Sequence, residues 1–225
     1  PIRSDMLISK NRLIYVAGRY KKFPFYLMLA HLCNVVSSQV LNLYFNMMAM
    51  QAIAGHYIIV YRTLVAPTVL IGSAVGDVFR SNANSAYKQR GECVFEYMYV
   101  VKRLALISVF PLVILILFAP AIFEYVFGKE WREAGVFARI LAPMFFFQFT
   151  TSPLSVMFVV AQKQIQDLIW QLTLLMMVCF SLVVGYYSGE VKILLAAYSF
   201  AYSIMYFANG YMTYKMSTSA GWRKS

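Results

Sequence analysis

Polar side chains recur along one side of an otherwise apolar stretch, residues 23–50. At 100° per residue they fall within about a third of a helix circumference, with Gln39 at the margin: His31, Asn34, Ser38, Asn42 and Asn46. The stretch is long enough to cross a bilayer, where no water is available to solvate amides. The stripe therefore predicts either hydrogen bonds to neighbouring helices or the wall of an aqueous cavity.

Two charged residues interrupt the next apolar run, residues 57–79. Placing an arginine deep in a bilayer costs about 2.5 to 3.5 kcal/mol, so Arg62 either reaches back to the outer interface or contacts an anion in a cavity. Its planar guanidinium, with five donors, suits a phosphate. Asp77 lies near the other end of the run, where it can cap the helix, pair with Arg80 or serve in proton or cation coupling.

Other polar residues in apolar runs favour packing over ligand binding. Tyr198, Tyr202 and Tyr206 share one face of the last run, where tyrosine rings suit helix packing as well as sugar binding. Arg139 is predicted to pair with Glu133 or to extend to the interface. A further pair, Gly72 and Gly76, is a small-xxx-small pattern that lets another backbone approach closely.

Residues arranged for catalysis or metal binding are not evident in the sequence. It has no paired carboxylates, Ser-His-Asp arrangement or phosphate-binding loop, so we expect no enzyme activity, although a membrane glycosyltransferase or polymerase stays open. His31 and His56 are isolated, and the three cysteines are widely spaced, which favours buried reduced thiols. We therefore expect no metal and no cofactor.

The composition identifies the class of protein that carries these residues. Of 225 residues, 61% are hydrophobic and 13% charged, and the mean hydropathy is +0.64, which indicates an integral membrane protein. We predict an all-α bundle of six transmembrane helices, with an amphipathic helix within 80–96. The predicted spans are residues 23–50, 57–79, 97–126, 134–162, 165–187 and 191–214.

Basic residues predict the orientation of this bundle. Fifteen of the 20 Lys and Arg residues lie in segments on one side, three lie on the other, and Arg62 and Arg139 lie within spans. Because basic residues near the ends of spans favour the cytoplasm, both termini are predicted to be cytoplasmic. The predicted organisation is a basic lead-in (1–22), a six-helix lobe (23–214) and a tail (215–225). This distribution accounts for the net charge of +11 without nucleic acid.

A set of short motifs follows in order along most of the chain. They are RYKKFP (19–24), YRTLVAP (61–67), LIGSAVGDVF (70–79), FGKEWREAG (127–135), ILAP (140–143) and SPLS (152–155). With these motifs the chain resembles the O-antigen type oligosaccharide flippases of the multidrug/oligosaccharidyl-lipid/polysaccharide exporter superfamily. Members of that superfamily are similar in having two six-helix lobes around a cavity that opens alternately to each side.

The resemblance implies that this chain is the C-terminal lobe and that an N-terminal lobe, or a partner half, is missing. The chain begins with Pro1 rather than Met, so we expect an upstream segment. The implied cargo is a polyprenyl-pyrophosphate-linked oligosaccharide in a bacterial inner membrane. Arg62 would meet the pyrophosphate beside Tyr61, and the polar residues of the first span would meet the headgroup. Alternatives are a drug/cation antiporter of the same superfamily and a non-transporting scaffold of a polysaccharide-synthesis complex.

Overall fold

The computed structural model describes residues 22–218, and every regular element in this range is a helix. In chain order the elements are α1 (Lys22–Met47), α2 (Gln51–Arg90), α3 (Val94–Phe127), η1 (Lys129–Trp131), α4 (Arg132–Thr151), η2 (Ser152–Val156), α5 (Met157–Val160), α6 (Gln164–Ser188) and α7 (Val191–Ser217). Here η denotes a short 3₁₀ helix. The predicted all-α membrane bundle is confirmed. Residues 1–21 and 219–225, with most of the predicted lead-in and tail, lie outside the described residues.

Five segments of the described chain are long and apolar enough to cross a membrane: Gln51–Arg90, Val94–Phe127, Lys129–Val160, Gln164–Ser188 and Val191–Ser217. They make the chain a multi-pass membrane protein. α1 is not among these five, although its 26 residues extend about 39 Å. Its amide, hydroxyl and imidazole side chains lower its hydropathy, so the sixth predicted crossing is supported by length and stays a prediction.

Two predicted boundaries in the first half of the chain were wrong. Residues 51–56, which separate the first two predicted spans, already belong to α2, and the turn occupies residues 48–50. The amphipathic segment after residue 79 is a direct continuation of α2, which has 40 residues and ends at Arg90, where Gly91 caps it in the left-handed conformation. The break therefore falls at 91–93, because a glycine tolerates a positive φ that other residues rarely adopt.

Glycines and prolines determine how closely the helices approach. A Cβ atom at Gly135 of α4 would lie 2.4 Å from the Cα atom of Pro120 in α3, so only glycine permits this crossing. On α2, Gly72 and Gly76 both face Pro153 in η2, as expected for a small-xxx-small pattern. In the fourth span the helix changes to a 3₁₀ turn next to Pro153, where a backbone N–H donor is missing.

Two apolar cores hold the bundle together. The larger one joins α1, α2, α3, α4, α6 and α7 through residues such as Phe45, Tyr57, Phe137 and Leu174. The smaller core lies at the end of the bundle formed by the last turns of α2 and α7, η2 and α5. There the N–H of Cys93 donates to the carbonyl of Ser217, 2.9 Å away, which ties the α2–α3 turn to the end of α7.

Candidate functional site

A polar cavity of about 490 Å³ lies among α1, α2, α4, η2, α6 and α7. Leu27, Val69 and Trp170 contribute apolar surface to its wall. The polar side chains that line it are His31, Asn34, Gln148, Ser152, Ser155, Asp167, Gln171 and Tyr206. Such a concentration of amide, hydroxyl and carboxylate groups inside an apolar bundle is costly unless water or a ligand solvates them.

Hydrogen bonds between helices position the amides of this cavity. The Nδ2 atom of Asn34 on α1 donates to Oε1 of Gln171 on α6 over 3.2 Å. The Gln171 side chain also lies close enough to interact with the carboxylate of Asp167, one turn earlier on the same helix. The indole N–H of Trp170 donates to the carbonyl of Met205 over 2.8 Å, which fixes α6 against α7 and places Tyr206 at the cavity.

Two amide atoms near the cavity are buried and lack a hydrogen-bond partner in the structure. They are Oε1 of Gln148 and Nδ2 of Asn209. The hydroxyl of Tyr206 lies close enough to interact with Gln148 but outside ordinary hydrogen-bond geometry. Asn209 accepts a bond from the Ser155 hydroxyl, 3.1 Å away, through its other amide atom. An unsatisfied buried polar atom costs about 1–3 kcal/mol, so Gln148, in the cavity wall, and Asn209, near it, mark a region whose hydrogen bonding is incomplete.

The polar stripe of α1 is divided between the cavity and the accessible surface. Asn34, together with His31, lines the cavity. The hydroxyl of Ser38 donates to the carbonyl of Val35 on its own helix, and Gln39 is exposed. Asn46 donates to the side chain of Asn42 over 3.0 Å, one turn away on α1. A ligand-binding role for these residues stays a prediction.

The charged residues of α2 lie outside the cavity. Arg62 is exposed and, within residues 22–218, has no ion pair or hydrogen bond. Tyr61 is half-buried, with its ring 5.9 Å from that of Tyr57. Asp77 is exposed, and the described part of the chain shows no ion pair between it and Arg80.

Of the two alternatives predicted for Arg139, the ion pair with Glu133 was wrong, and extension to the interface stays a prediction. Glu133 pairs with Lys192, at 3.4 Å, instead of with Arg139. Arg139 instead donates to the backbone carbonyl of Leu117 over 3.3 Å. The Lys192 side chain reaches Glu133 because the beginning of α7 packs beside the beginning of α4, a proximity that sequence separation conceals.

The tyrosines of α7 pack within the bundle, as predicted. The rings of Tyr198 and Tyr202 lie 4.6 Å apart, those of Tyr202 and Tyr206 5.9 Å apart, and all three side chains are buried. Of the three, Tyr206 also reaches the cavity wall.

Asp167 is a cavity residue that the sequence did not predict. An acid in the first turn of a helix ordinarily interacts with the helix N-terminus. The position of Asp167, in the first turn after Lys163, therefore does not by itself indicate a cavity residue. A detectable signal was present, because Asp167, Trp170 and Gln171 share one face of an apolar helix at i, i+3 and i+4 spacing. The structure brings this face against α1 and η2, which places the carboxylate in the cavity.

Fold and cavity together define a multi-pass helical membrane protein with a polar interior site. Residues 8–136, more than half of the chain, match the model of a family described as polysaccharide biosynthesis protein. The chain belongs to this family, which agrees with the resemblance to the flippase superfamily. Comparisons with curated proteins and with solved structures gave no match. The chain is therefore a multi-pass membrane protein of polysaccharide biosynthesis and transport.

Proposed function

We propose that this chain is the C-terminal lobe of a flippase that moves a polyprenyl-pyrophosphate-linked oligosaccharide across the bacterial inner membrane for polysaccharide export. The observation that carries the proposal is the polar cavity inside an apolar bundle of a polysaccharide biosynthesis family member. Its amides, from Asn34, Gln148 and Gln171, combine donors and acceptors as sugar hydroxyls require. The polyprenyl chain stays in the lipid, and the protein performs no covalent chemistry on its cargo.

Arg62 is the proposed pyrophosphate contact in this transporter. It is exposed and has no partner among the described residues, so its five donors are available to an anion. Tyr61 lies beside it, and the accessible stripe of α1, with Ser38, Gln39, Asn42 and Asn46, offers further contacts to the headgroup. Alternating access then consists of this lobe rocking against an N-terminal lobe.

We also propose Asp167 as a coupling carboxylate, in addition to Asp77. Asp167 lines the polar cavity close to Gln171, so a proton or cation bound there alters the groups that face the cargo. Asp77 has no such connection to the cavity.

The test uses the complete protein that contains this lobe. Arg62→Ala is expected to abolish surface polysaccharide with expression unchanged, and Arg62→Lys to restore part of it, because an ammonium keeps the charge but loses the bidentate geometry. Arg139→Ala is the matched control, since it also removes an exposed arginine from a span. Normal surface polysaccharide in the Arg62→Ala strain would refute the assignment.

The position of Asp167 gives specific support to one alternative, a drug/cation antiporter, which requires a carboxylate in its cavity. Reconstituted vesicles separate the possibilities. A flippase moves labelled lipid-linked sugar, and an antiporter moves a cationic dye in a manner that Asp167→Asn abolishes. A scaffold moves neither, even with the other lobe present, and a polymerase lengthens glycan chains.

We further propose that both ends of the chain face the cytoplasm, because basic residues concentrate on that side. A single cysteine introduced at Lys129 should then react with an impermeant maleimide added to spheroplasts, and one introduced at Lys88 should not. The reverse pattern would invert the topology.

A further inference from the structure

An apolar groove runs between α2 and α3 on the exposed side of the bundle. It consists of two cavities, of about 210 and 570 Å³, which share Ile71 of α2 and Ile107 of α3. Because both cavities contact these two residues, the cavities lie next to each other along α2 and α3, and together they are named the α2–α3 groove. This α2–α3 groove is separate from the polar cavity described above and shares no lining residue with it.

Prolines and small residues explain why the groove is not filled by side chains. Pro67 of α2 and Pro111 of α3 both line its deeper half. On its opposite side, α2 is drawn toward η2, where Gly72 and Gly76 face Pro153. The shallower half includes Ala74, whose side chain is too short to reach across.

The shallower half of the groove carries a positive charge. Arg103 lines this half, with its guanidinium carbon 4.8 Å from the centre of the Tyr99 ring. Arg103 is exposed, and within the described chain it has no ion pair or hydrogen bond. Glu96 also lines this half, nearer the start of α3; one of its carboxylate oxygens is paired with Arg90, and the other is buried without a hydrogen-bond partner. Because the pair of Arg90 and Glu96 is neutral overall, the net charge of this half is that of Arg103.

The part of the groove between Arg103 and Leu115 has the length of one leaflet. These two lining residues of α3 are twelve residues apart, or about 18 Å at 1.5 Å per residue, and the groove continues beyond Arg103 to Phe95. Half of a typical hydrocarbon core is about 15 Å thick. A lipid acyl chain that begins at the level of Arg103 thus ends near the middle of the membrane, between Pro111 and Leu115.

We propose that the α2–α3 groove binds an anionic phospholipid of the leaflet on the Arg103 side, with one acyl chain in the groove and its phosphate on Arg103. Its apolar wall matches an acyl chain, and the unpaired guanidinium of Arg103 matches a phosphodiester. The ring of Tyr99 lies against this guanidinium in a cation–π contact, and tyrosine is a residue typical of membrane interfaces. This site is independent of the flippase proposal, since it involves neither the polar cavity nor Arg62.

The test measures lipid retained by the purified full chain in native mass spectra, with phosphatidylglycerol and phosphatidylcholine as probes. Phosphatidylglycerol is expected to bind more tightly, and Arg103→Gln should weaken it about fivefold, the ratio that corresponds to ~1 kcal/mol for one basic residue at a membrane surface. Lys102→Gln, which removes an adjacent exposed charge that does not line the groove, should leave binding unchanged. Equal weakening by the two variants would overturn the proposal.

A second pair of variants tests the chain-binding part. Ala74→Trp should fill the groove and reduce retention of both lipids, whereas Ala66→Trp, exposed on α2 outside the groove, should not. Unchanged retention in Ala74→Trp would contradict a groove site. Equal affinity for the two phospholipids in the unmodified chain, or displacement of phosphatidylglycerol by an equimolar polyprenyl phosphate, would also overturn the assignment to an anionic phospholipid.

Discussion

Replacing Asn34 distinguishes a solvated cavity from a dry hydrogen-bonded contact, the two readings that the sequence leaves open for α1. Asn34→Leu keeps the approximate size of the side chain and removes its bond to Gln171. Gln171→Met removes the same bond from the other side. The double variant completes a thermodynamic cycle that isolates the interaction between the two residues.

The structure predicts a small interaction energy. The Nδ2–Oε1 distance is 3.2 Å, long for a hydrogen bond, and both residues line a cavity of about 490 Å³ that can admit water. Interhelical hydrogen bonds in membranes average about 0.6 kcal/mol, a factor of about 3 in the folding equilibrium. Since the freed amide of Gln171 can be solvated in the cavity, we expect each single variant to cost less than about 1 kcal/mol.

Unfolding in a mixed-detergent titration, followed by circular dichroism, measures these energies. Surface polysaccharide in the complete protein is the functional readout, and we expect Asn34→Leu to reduce it although the folded fraction is preserved. A cost of about 2 kcal/mol or more for either single variant would indicate a dry contact, where the freed partner stays unsatisfied. In that case α1 would be joined to α6 by a structural bond, and the cavity would lose its role in recognition.

Two further predictions concern packing and pH. Gly135→Ala is expected to destabilise the bundle by roughly 1–3 kcal/mol, because the new Cβ would lie 2.4 Å from the Pro120 Cα atom and 2.5 Å from the Ala119 carbonyl oxygen. Gly55→Ala is the control, because its new Cβ would have no atom within 4 Å, and higher helix propensity should stabilise the bundle by up to ~1 kcal/mol. Equal shifts of the thermal unfolding temperature in the two variants would contradict this prediction. At Cys93, burial raises the pKa of the thiol from 9.0 to about 11. In a variant with Cys33 and Cys179 replaced by Ala, alkylation of Cys93 at pH 8 should therefore be far slower in the folded than in the denatured chain. Because the folded state keeps this proton to a higher pH than the unfolded state, the free energy of unfolding should decrease as pH rises from about 9 to about 11. Equal alkylation rates in the folded and denatured states would refute the burial of this thiol.

The helical secondary structure and most of the membrane spans of this protein follow from local properties of the chain. Long apolar runs make helices in a membrane because each backbone N–H and C=O group must find a partner inside its own segment. That constraint explains why the all-α fold and five of the predicted spans agree with the structure. The small-xxx-small spacing of Gly72 and Gly76 likewise predicts a close backbone contact, although it does not identify the partner, Pro153.

Tertiary packing decided which residues share the polar cavity. Asp167 comes from an ordinary helix start, Ser155 from a 3₁₀ turn and Asn34 from a helix far away in sequence. Periodicity places Asp167, Trp170 and Gln171 on one face of α6, but it does not tell which helices that face meets. The close crossings at Gly135 and at Gly76 fix those faces by steric contact between distant segments, and only the folded chain contains that contact.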